Sequence, residues 1–239
     1  MHIALFLLLA LTLFATPKCS DFTLPDHTTQ LLVVTSKDWN TSTAQLTLFE
    51  KNSINQWQKS GTKFKVMIGR NGLGFGQGEC LYEKAEVVKR EGDGKAPAGV
   101  FEIGSLFGQF PVESAYTMQL MSKNHHCVDD SQSQYYNQII NATKIEKEYH
   151  SYEMMQRNDH QYDYGFTVAH NKQNLKNHGS CIFLHLLKTD TSPTAGCTAM
   201  KKSDMSTLIS HLNPQKHPLL IQLPKHLWHD WKKVFLQGE

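Results

Sequence analysis

Short apolar runs separated by turn residues mark most of the chain from position 31 onward. They are rich in Val, Ile, Leu and Phe and are bounded by Gly, Pro, Asn or Ser, which is typical of β-strands. We predict strands at residues 31–35, 44–49, 64–68, 99–103, 166–169, 181–185 and 219–223. The pattern therefore predicts a mostly β fold, as a sandwich or an open barrel.

Helical periodicity is confined to two segments near the C-terminus. The first carries apolar residues at i, i+3, i+4 and i+7, between Ser203 and Pro214. These residues are Met205, Leu208, Ile209 and Leu212. The second segment carries Leu227, Trp228, Trp231 and Phe235. We therefore expect two helices beside the β-structure.

The N-terminus predicts export. Residues 3–14 form an apolar run of twelve residues, which is too short to span a bilayer and has the length of a signal-peptide core. We place the signal peptide at residues 1–20, although no clean small-x-small site precedes Asp21. Lys18 directly before Cys19 disfavours a lipoprotein. The expected location is the periplasm or the cell envelope.

Composition indicates one domain. The chain has 239 residues, of which 40% are hydrophobic, and no repeat or long linker divides it, so we expect a single domain over residues 21–239. A net charge of +2 and the absence of a basic block do not favour nucleic acid as a partner. We expect a monomer.

The candidate chemistry lies in one pair of side chains. His185 ends an apolar strand, and Cys197 follows it after a loop of eleven residues that contains Pro193. A thiol needs a neighbouring imidazole or an electropositive turn to become a nucleophile near neutral pH. His170 and His178 are the alternative bases, but the strand end favours His185.

The segment from Gly179 to Met200 resembles the catalytic signature of the L,D-transpeptidase (YkuD-like) family, a histidine followed by a Ser/Thr-x-Gly-Cys turn. The resemblance extends to residues 69–74, 89–101 and 127–130 and to Tyr136-Asn137, in the same order. It covers about residues 57–223, so a chance match of a short motif is disfavoured. The resemblance implies a β-rich catalytic domain that acts on peptidoglycan stem peptides without a cofactor or a metal.

The resemblance also implies roles for the residues of the signature. Cys197 would attack a tetrapeptide stem, His185 would be its base, and the N–H groups of Cys197 and Gly196 in the Thr194 turn would stabilise the oxyanion. A backbone carbonyl is expected to orient the imidazole, with Asp190 and Asp204 as the alternatives. Transfer of the thioester to an amine would give a 3→3 cross-link; hydrolysis would make the protein an L,D-carboxypeptidase, and an inert pair would leave a wall-binding protein.

Departures from the common family pattern affect substrate binding. Ala195 stands where many members have a histidine, so a second active-site imidazole is not expected. Ala199 stands where an arginine or asparagine often anchors the carboxylate of the stem peptide, so either the acceptor differs or Arg70, Arg90 or Arg157 replaces that anchor. The candidates for substrate contact are Arg90, Asp129, Asp130 and Ser180.

The other cysteines and histidines are interpreted as structural. In an oxidising compartment Cys80 and Cys127 are the expected disulfide pair, with two free thiols as the alternative, and Cys181 is expected to be a buried small residue. His125, His126 and Asp129-Asp130 are too crowded around Cys127 to hold one metal ion, so we predict a polar network and no metal site.

Overall fold

A computed structural model describes residues 18–61, 63–82 and 87–236, and the predicted leader run lies outside these ranges. Its strands are β1 (Gln30–Ser36), β2 (Thr43–Lys51), β3 (Trp57–Lys59), β4 (Phe64–Met67), β5 (Leu73–Phe75), β6 (Ala96–Gly108), β7 (Met118–Leu120), β8 (His125–Val128), β9 (Ile139–Asn141), β10 (Tyr152–Met154), β11 (Tyr164–Val168), β12 (Phe183–Leu186), β13 (Thr198–Met200) and β14 (Leu219–Pro224). The helices are α1 (Lys202–His211) and α2 (Lys225–Phe235), with a 3-10 turn at Pro214–Lys216.

Eight strands close into a barrel. The order β1-β14-β6-β11-β12-β13-β4-β2 returns to its start because β1 also pairs with β2, from Gln30 opposite Glu50 to Ser36 opposite Ala44. Short strands β3, β5 and β7 extend the sheet beside β2 and β6. The prediction of a mostly β fold is confirmed, and the barrel is closed rather than open, which leaves its main strands without a free edge.

Each of the seven predicted strands corresponds to a barrel strand, and the two predicted helices are α1 and α2. In β2 the reason is an alternation, with Ala44, Leu46 and Leu48 buried and the intervening Gln45 and Thr47 exposed or partly buried. Helix α1 buries Met205, Leu208 and Ile209 and packs against β12, whereas α2 packs against β14 and β1. No helix in the described ranges is long and apolar enough to cross a membrane.

A second, three-stranded sheet with the order β10-β8-β9 accompanies the barrel. Its central strand β8 carries Cys127, which forms a disulfide with Cys181 just before β12. This covalent link fixes the small sheet beside the barrel strand that bears His185.

The expected disulfide between Cys80 and Cys127 is wrong. Cys80 pairs with Cys19, and Cys127 pairs with Cys181. The sequence interpretation assigned Cys19 to the leader and placed Cys181 inside an apolar strand. In the structure Cys181 precedes that strand with a left-handed backbone, φ 54°; its side chain is buried, as expected, and also forms the cross-link to Cys127.

Candidate active site

Cys197 lies at the start of the parallel strand pair β12–β13. It is the one cysteine of the five that is not in a disulfide. It directly precedes β13, which pairs with β12 so that Leu184 lies opposite Thr198. The Phe183 N–H donates to Cys197 Sγ at 3.2 Å, and the thiol donates to Cys181 O at 3.4 Å. These contacts hold the sulfur at the start of both strands, where its residue is 7% exposed.

His185 follows two residues after Phe183 on the same face of β12. Its Nδ1 lies 2.8 Å from Leu186 O. A carbonyl oxygen only accepts hydrogen bonds, so Nδ1 carries the proton and Nε2 keeps a lone pair. A backbone carbonyl therefore orients this imidazole, as the sequence predicts.

The two candidate side chains share one buried cluster without a hydrogen bond between them. Tyr162 packs its ring edge-on against His185, with centroids 5.3 Å apart, and belongs to the same apolar cluster as Cys197. The predicted pair is thus brought to one side of the β12–β13 ladder.

Burial keeps both groups uncharged. It lowers the pKa of His185 to about 4 and raises the pKa of the Cys197 thiol, on which the negative charge of Glu153 acts in the same direction. At neutral pH the resting site therefore contains a thiol and a neutral imidazole, not an ion pair.

The same desolvation predicts a loss of stability in acid. His185 and His170 are both buried and each has a pKa lowered to about 4, whereas the unfolded chain protonates histidine near about 6.5. The unfolded state binds more protons between these values, so stability falls as the pH drops from about 6.5 to 4, by about 3 kcal/mol for each imidazole. Urea unfolding of the protein at a series of pH values measures this loss.

Matched variants identify the groups responsible. The free energy of unfolding of each variant is measured relative to its own value at pH 7. For His185→Gln and for His170→Gln, we expect it to fall less between pH 6.5 and 4 than it does for the wild type. His229→Gln, at an exposed position on α2, should retain the full slope. An unchanged slope in both buried variants would contradict the assignment.

Cys197 opens into a cavity of about 150 Å³ with charged walls. The lining residues are Arg70, Lys89, Glu91, Gly92, Asp129, Glu153, Ser180, Cys181, Ile182, Ala195, Gly196 and Cys197. They come from the barrel, from the loop before β6 and from the small sheet. The cavity holds a thiol, carboxylates and cations within a few side-chain lengths, which is a suitable environment for acyl transfer to or from a polar substrate.

Two of the four predicted substrate contacts line this cavity, namely Asp129 and Ser180. Asp130 does not; its carboxylate accepts from the backbone N–H groups of Gln132 and His150 and so braces the loop. Arg90 is exposed, and its backbone N–H donates to Asp93 Oδ2 at 2.6 Å. Of the three candidate arginines for binding a substrate carboxylate, Arg70 lines the cavity. Arg157 instead pairs with Asp159 and lies over the Tyr162 ring.

The Thr194 turn is braced internally. Thr194 Oγ1 donates to Cys197 O at 2.6 Å and accepts from the Gly196 N–H at 3.1 Å. Gly196 can therefore donate to an oxyanion only by giving up its bond to Thr194. The N–H of Cys197 stays the predicted oxyanion donor beside the sulfur.

Other histidines that the sequence analysis considered make structural contacts outside the Cys197 cavity. His170 Nε2 lies 2.9 Å from His178 O, and neither side chain lines the Cys197 cavity. His126 bonds Tyr149 and stacks on Tyr152 in the small sheet. Within the described ranges, no group of three His, Cys, Asp or Glu side chains is arranged to hold a metal ion.

Sequence reasoning missed the two glutamates of the cavity. Glu91 accepts from Tyr136 Oη and from Ser180 Oγ, at 2.5 and 2.7 Å. Glu153 accepts from the Tyr162 hydroxyl. Glu91 lies in a turn segment that resembles the family, which was a usable signal. Glu153 lies on the short strand β10 and is brought to the site by the pairing of β10 with β8.

Comparison with known families gives one match. Residues 37–221 match the YkuD family, described as the L,D-transpeptidase catalytic domain. No protein of curated function and no solved structure matches the chain significantly. The matched range holds the whole β12–β13 site and most of the barrel, and so the chain belongs to the L,D-transpeptidase catalytic domain family, whose members act on peptidoglycan.

Proposed function

We propose that the protein is an exported peptidoglycan L,D-transpeptidase with Cys197 as its nucleophile and His185 as its general base. The observation that carries this proposal is the free Cys197 thiol in a charged cavity, on the same strand pair as a histidine whose Nδ1 is held by Leu186 O. A fixed Nδ1–H leaves Nε2 as the proton acceptor, which is the state a general base needs.

In the first half-reaction His185 Nε2 takes the proton of the Cys197 thiol, and the sulfur attacks the carbonyl of the third residue of a tetrapeptide stem. The N–H of Cys197 is the proposed donor to the developing oxyanion. The bond to the terminal D-alanine then breaks, and the imidazolium returns the proton to the leaving amine. A thioester on Cys197 remains.

In the second half-reaction the side-chain amine of another stem attacks the thioester, and His185 takes one of its protons. The C–S bond breaks, the thiolate regains the proton from the imidazolium, and a 3→3 cross-link is formed. Water in place of the amine would give a tripeptide, which is the carboxypeptidase alternative.

Export is part of the proposal, and the disulfides support it. The pairs Cys19–Cys80 and Cys127–Cys181 require an oxidising compartment for stability. A cut after Ser20 would remove Cys19 and with it the first pair. We therefore propose cleavage before Cys19, which mass spectrometry of the mature N-terminus tests.

The reaction is tested by incubating the purified mature protein with disaccharide-tetrapeptide and analysing the products by mass spectrometry. We expect 3→3 cross-linked dimers, and none with Cys197→Ala. Tripeptide without dimer would establish the carboxypeptidase instead. Unchanged substrate would overturn the proposed reaction and favour a binding protein that keeps the fold.

A further inference from the structure

A second cavity lies between the N-terminal segment, strand β6 and the start of β14, and its lining residues all differ from those of the Cys197 cavity. Its volume is about 280 Å³. Apolar groups form much of its wall, namely Phe22, Pro25, Ile103, Pro218 and Leu219. The Cys19–Cys80 disulfide fixes the segment that carries Phe22, so this side of the wall has a covalent anchor.

Two hydroxyl groups of residues that line this second cavity have no hydrogen-bond partner within the described ranges. They are Thr28 Oγ1 and Tyr116 Oη, and both atoms are buried. Thr28 is 1% exposed, and its backbone N–H is already committed to Pro25 O at 2.9 Å. Burial raises the pKa of Tyr116, so this hydroxyl keeps its proton and can donate. A buried hydroxyl without a partner costs free energy, which indicates that the cavity takes a ligand with polar groups for both.

The charged groups at the second cavity disfavour an anion. Glu79 and Glu102 both line it, and Lys172 Nζ lies 2.7 Å from Glu79 Oε1 and 3.3 Å from Glu102 Oε2. One lysine therefore serves two carboxylates, which retain acceptor sites for hydroxyl groups. The exposed side chains of His27 and His217 form the rim, with ring centroids 4.5 Å apart. The cavity thus offers hydroxyl donors, carboxylate acceptors and apolar faces to one ligand.

We propose that the second cavity binds one pyranose ring of a glycan strand, with Thr28 and Tyr116 bonding its hydroxyls and Phe22 packing on its C–H face. A pyranose combines an apolar face with a periphery of hydroxyl groups. The volume of 280 Å³ lies just below the range of about 300–1,000 Å³ that drug-sized ligands occupy, so the cavity suits a single ring. The choice of sugar rests on the proposed function, because peptidoglycan carries its stem peptides on a chain of such rings. Occupation of both cavities would hold the strand while Cys197 acts on a stem.

Binding is tested by NMR titration of the purified mature protein with triacetylchitotriose, a trisaccharide of N-acetylated pyranose rings without a peptide. Sorbitol, an open-chain polyol, is the control ligand. We expect saturable shifts with the trisaccharide and none with sorbitol. Cys197→Ala should bind the trisaccharide as the wild type does, because different residues line the two cavities. Absence of binding, equal binding of sorbitol, or loss of binding in Cys197→Ala would overturn the inference.

Two conservative variants locate the ligand. Thr28→Val and Tyr116→Phe each remove one hydroxyl and keep nearly the same shape. Each is expected to raise the Kd of the trisaccharide by about fivefold, which is the effect of one hydrogen bond. Tyr164→Phe removes a hydroxyl of β11 that does not line this cavity, and it should leave the Kd unchanged. An unchanged Kd in both cavity variants would place the ligand elsewhere and overturn the inference.

Thermal unfolding of the free protein separates a ligand site from a structural role. Because the two hydroxyls lack a partner among the described residues, we expect Thr28→Val and Tyr116→Phe to keep the Tm of the wild type or to exceed it. A lower Tm in both variants would mean that the hydroxyls serve the fold, and it would overturn the inference.

Failure of this inference is distinguishable from failure of the proposed reaction. Binding of the trisaccharide is measured without turnover, and D-alanine release is measured with a tetrapeptide that carries no sugar. A protein that releases D-alanine but does not bind the trisaccharide loses only the second site. A protein that binds the trisaccharide and leaves the tetrapeptide unchanged retains the second site and loses the transpeptidase.

Discussion

Replacing His185 by glutamine is expected to lower kcat/KM for D-alanine release by about 10³-fold, within the range of about 10²–10⁴ that general acid–base groups supply. Glutamine can still donate to Leu186 O, so the loss reports the missing proton acceptor rather than a broken contact. The rate of the wild-type enzyme on a tetrapeptide donor, measured beside the variant, provides the comparison.

The pH profile adds a signature that a structural role does not have. Because burial lowers the pKa of His185 to about 4, the base form is present well below neutral pH. We expect kcat/KM of the wild type to persist down to about pH 5, where an ordinary histidine would be largely protonated.

His178→Gln is the matched control, since that histidine is the alternative base nearest in sequence and lies outside the cavity. A loss in this variant as large as that in His185→Gln, or a wild-type profile that falls near pH 6.5, would contradict the assignment.

The barrel was predictable because most of its strands carry their own signal. Most of β2 alternates buried and more exposed residues, and β1 is built around the apolar run 31–34, so the local sequence already specifies a strand. The missed strands have three or four residues, too few for a period. Strand β13, Thr198–Met200, exists only because β12 and β4 lie on either side of it.

The residues of the central motif were predictable from the sequence, whereas the charged residues that line the cavity around them were not. His185, Cys197 and the Thr194 turn lie within one contiguous motif, whereas the cavity carboxylates Glu91, Asp129 and Glu153 come from the turn before β6, the residue after β8 and strand β10. Their proximity depends on contacts between distant segments, which no local pattern encodes. The disulfides were missed for the same reason, because pairing depends on which cysteines the fold brings together.

The Cys127–Cys181 disulfide is expected to support activity as well as stability. Replacing both cysteines by alanine removes a cross-link that closes 54 residues, with a loss of unfolding free energy of about 4 kcal/mol in the chain-entropy account. It also releases β8, which precedes Asp129, and the Cys181 carbonyl that accepts from the Cys197 thiol. We therefore expect D-alanine release to fall by at least about tenfold at a temperature where the variant is still folded, in line with the sensitivity of reaction rates to small displacements.

The second disulfide provides the comparison that separates the two effects. Cys19–Cys80 closes 61 residues, so its double alanine variant should lose nearly the same unfolding free energy, measured by urea titration. Neither of its cysteines lines the Cys197 cavity, so catalysis by the folded fraction should stay close to that of the wild type. Equal activity of the two variants, at matched stability, would mean that the Cys127–Cys181 bond only holds the fold together. Lower activity in the Cys127–Cys181 variant alone would mean that the small sheet must be fixed to β12 to keep the Cys197 cavity in its active arrangement.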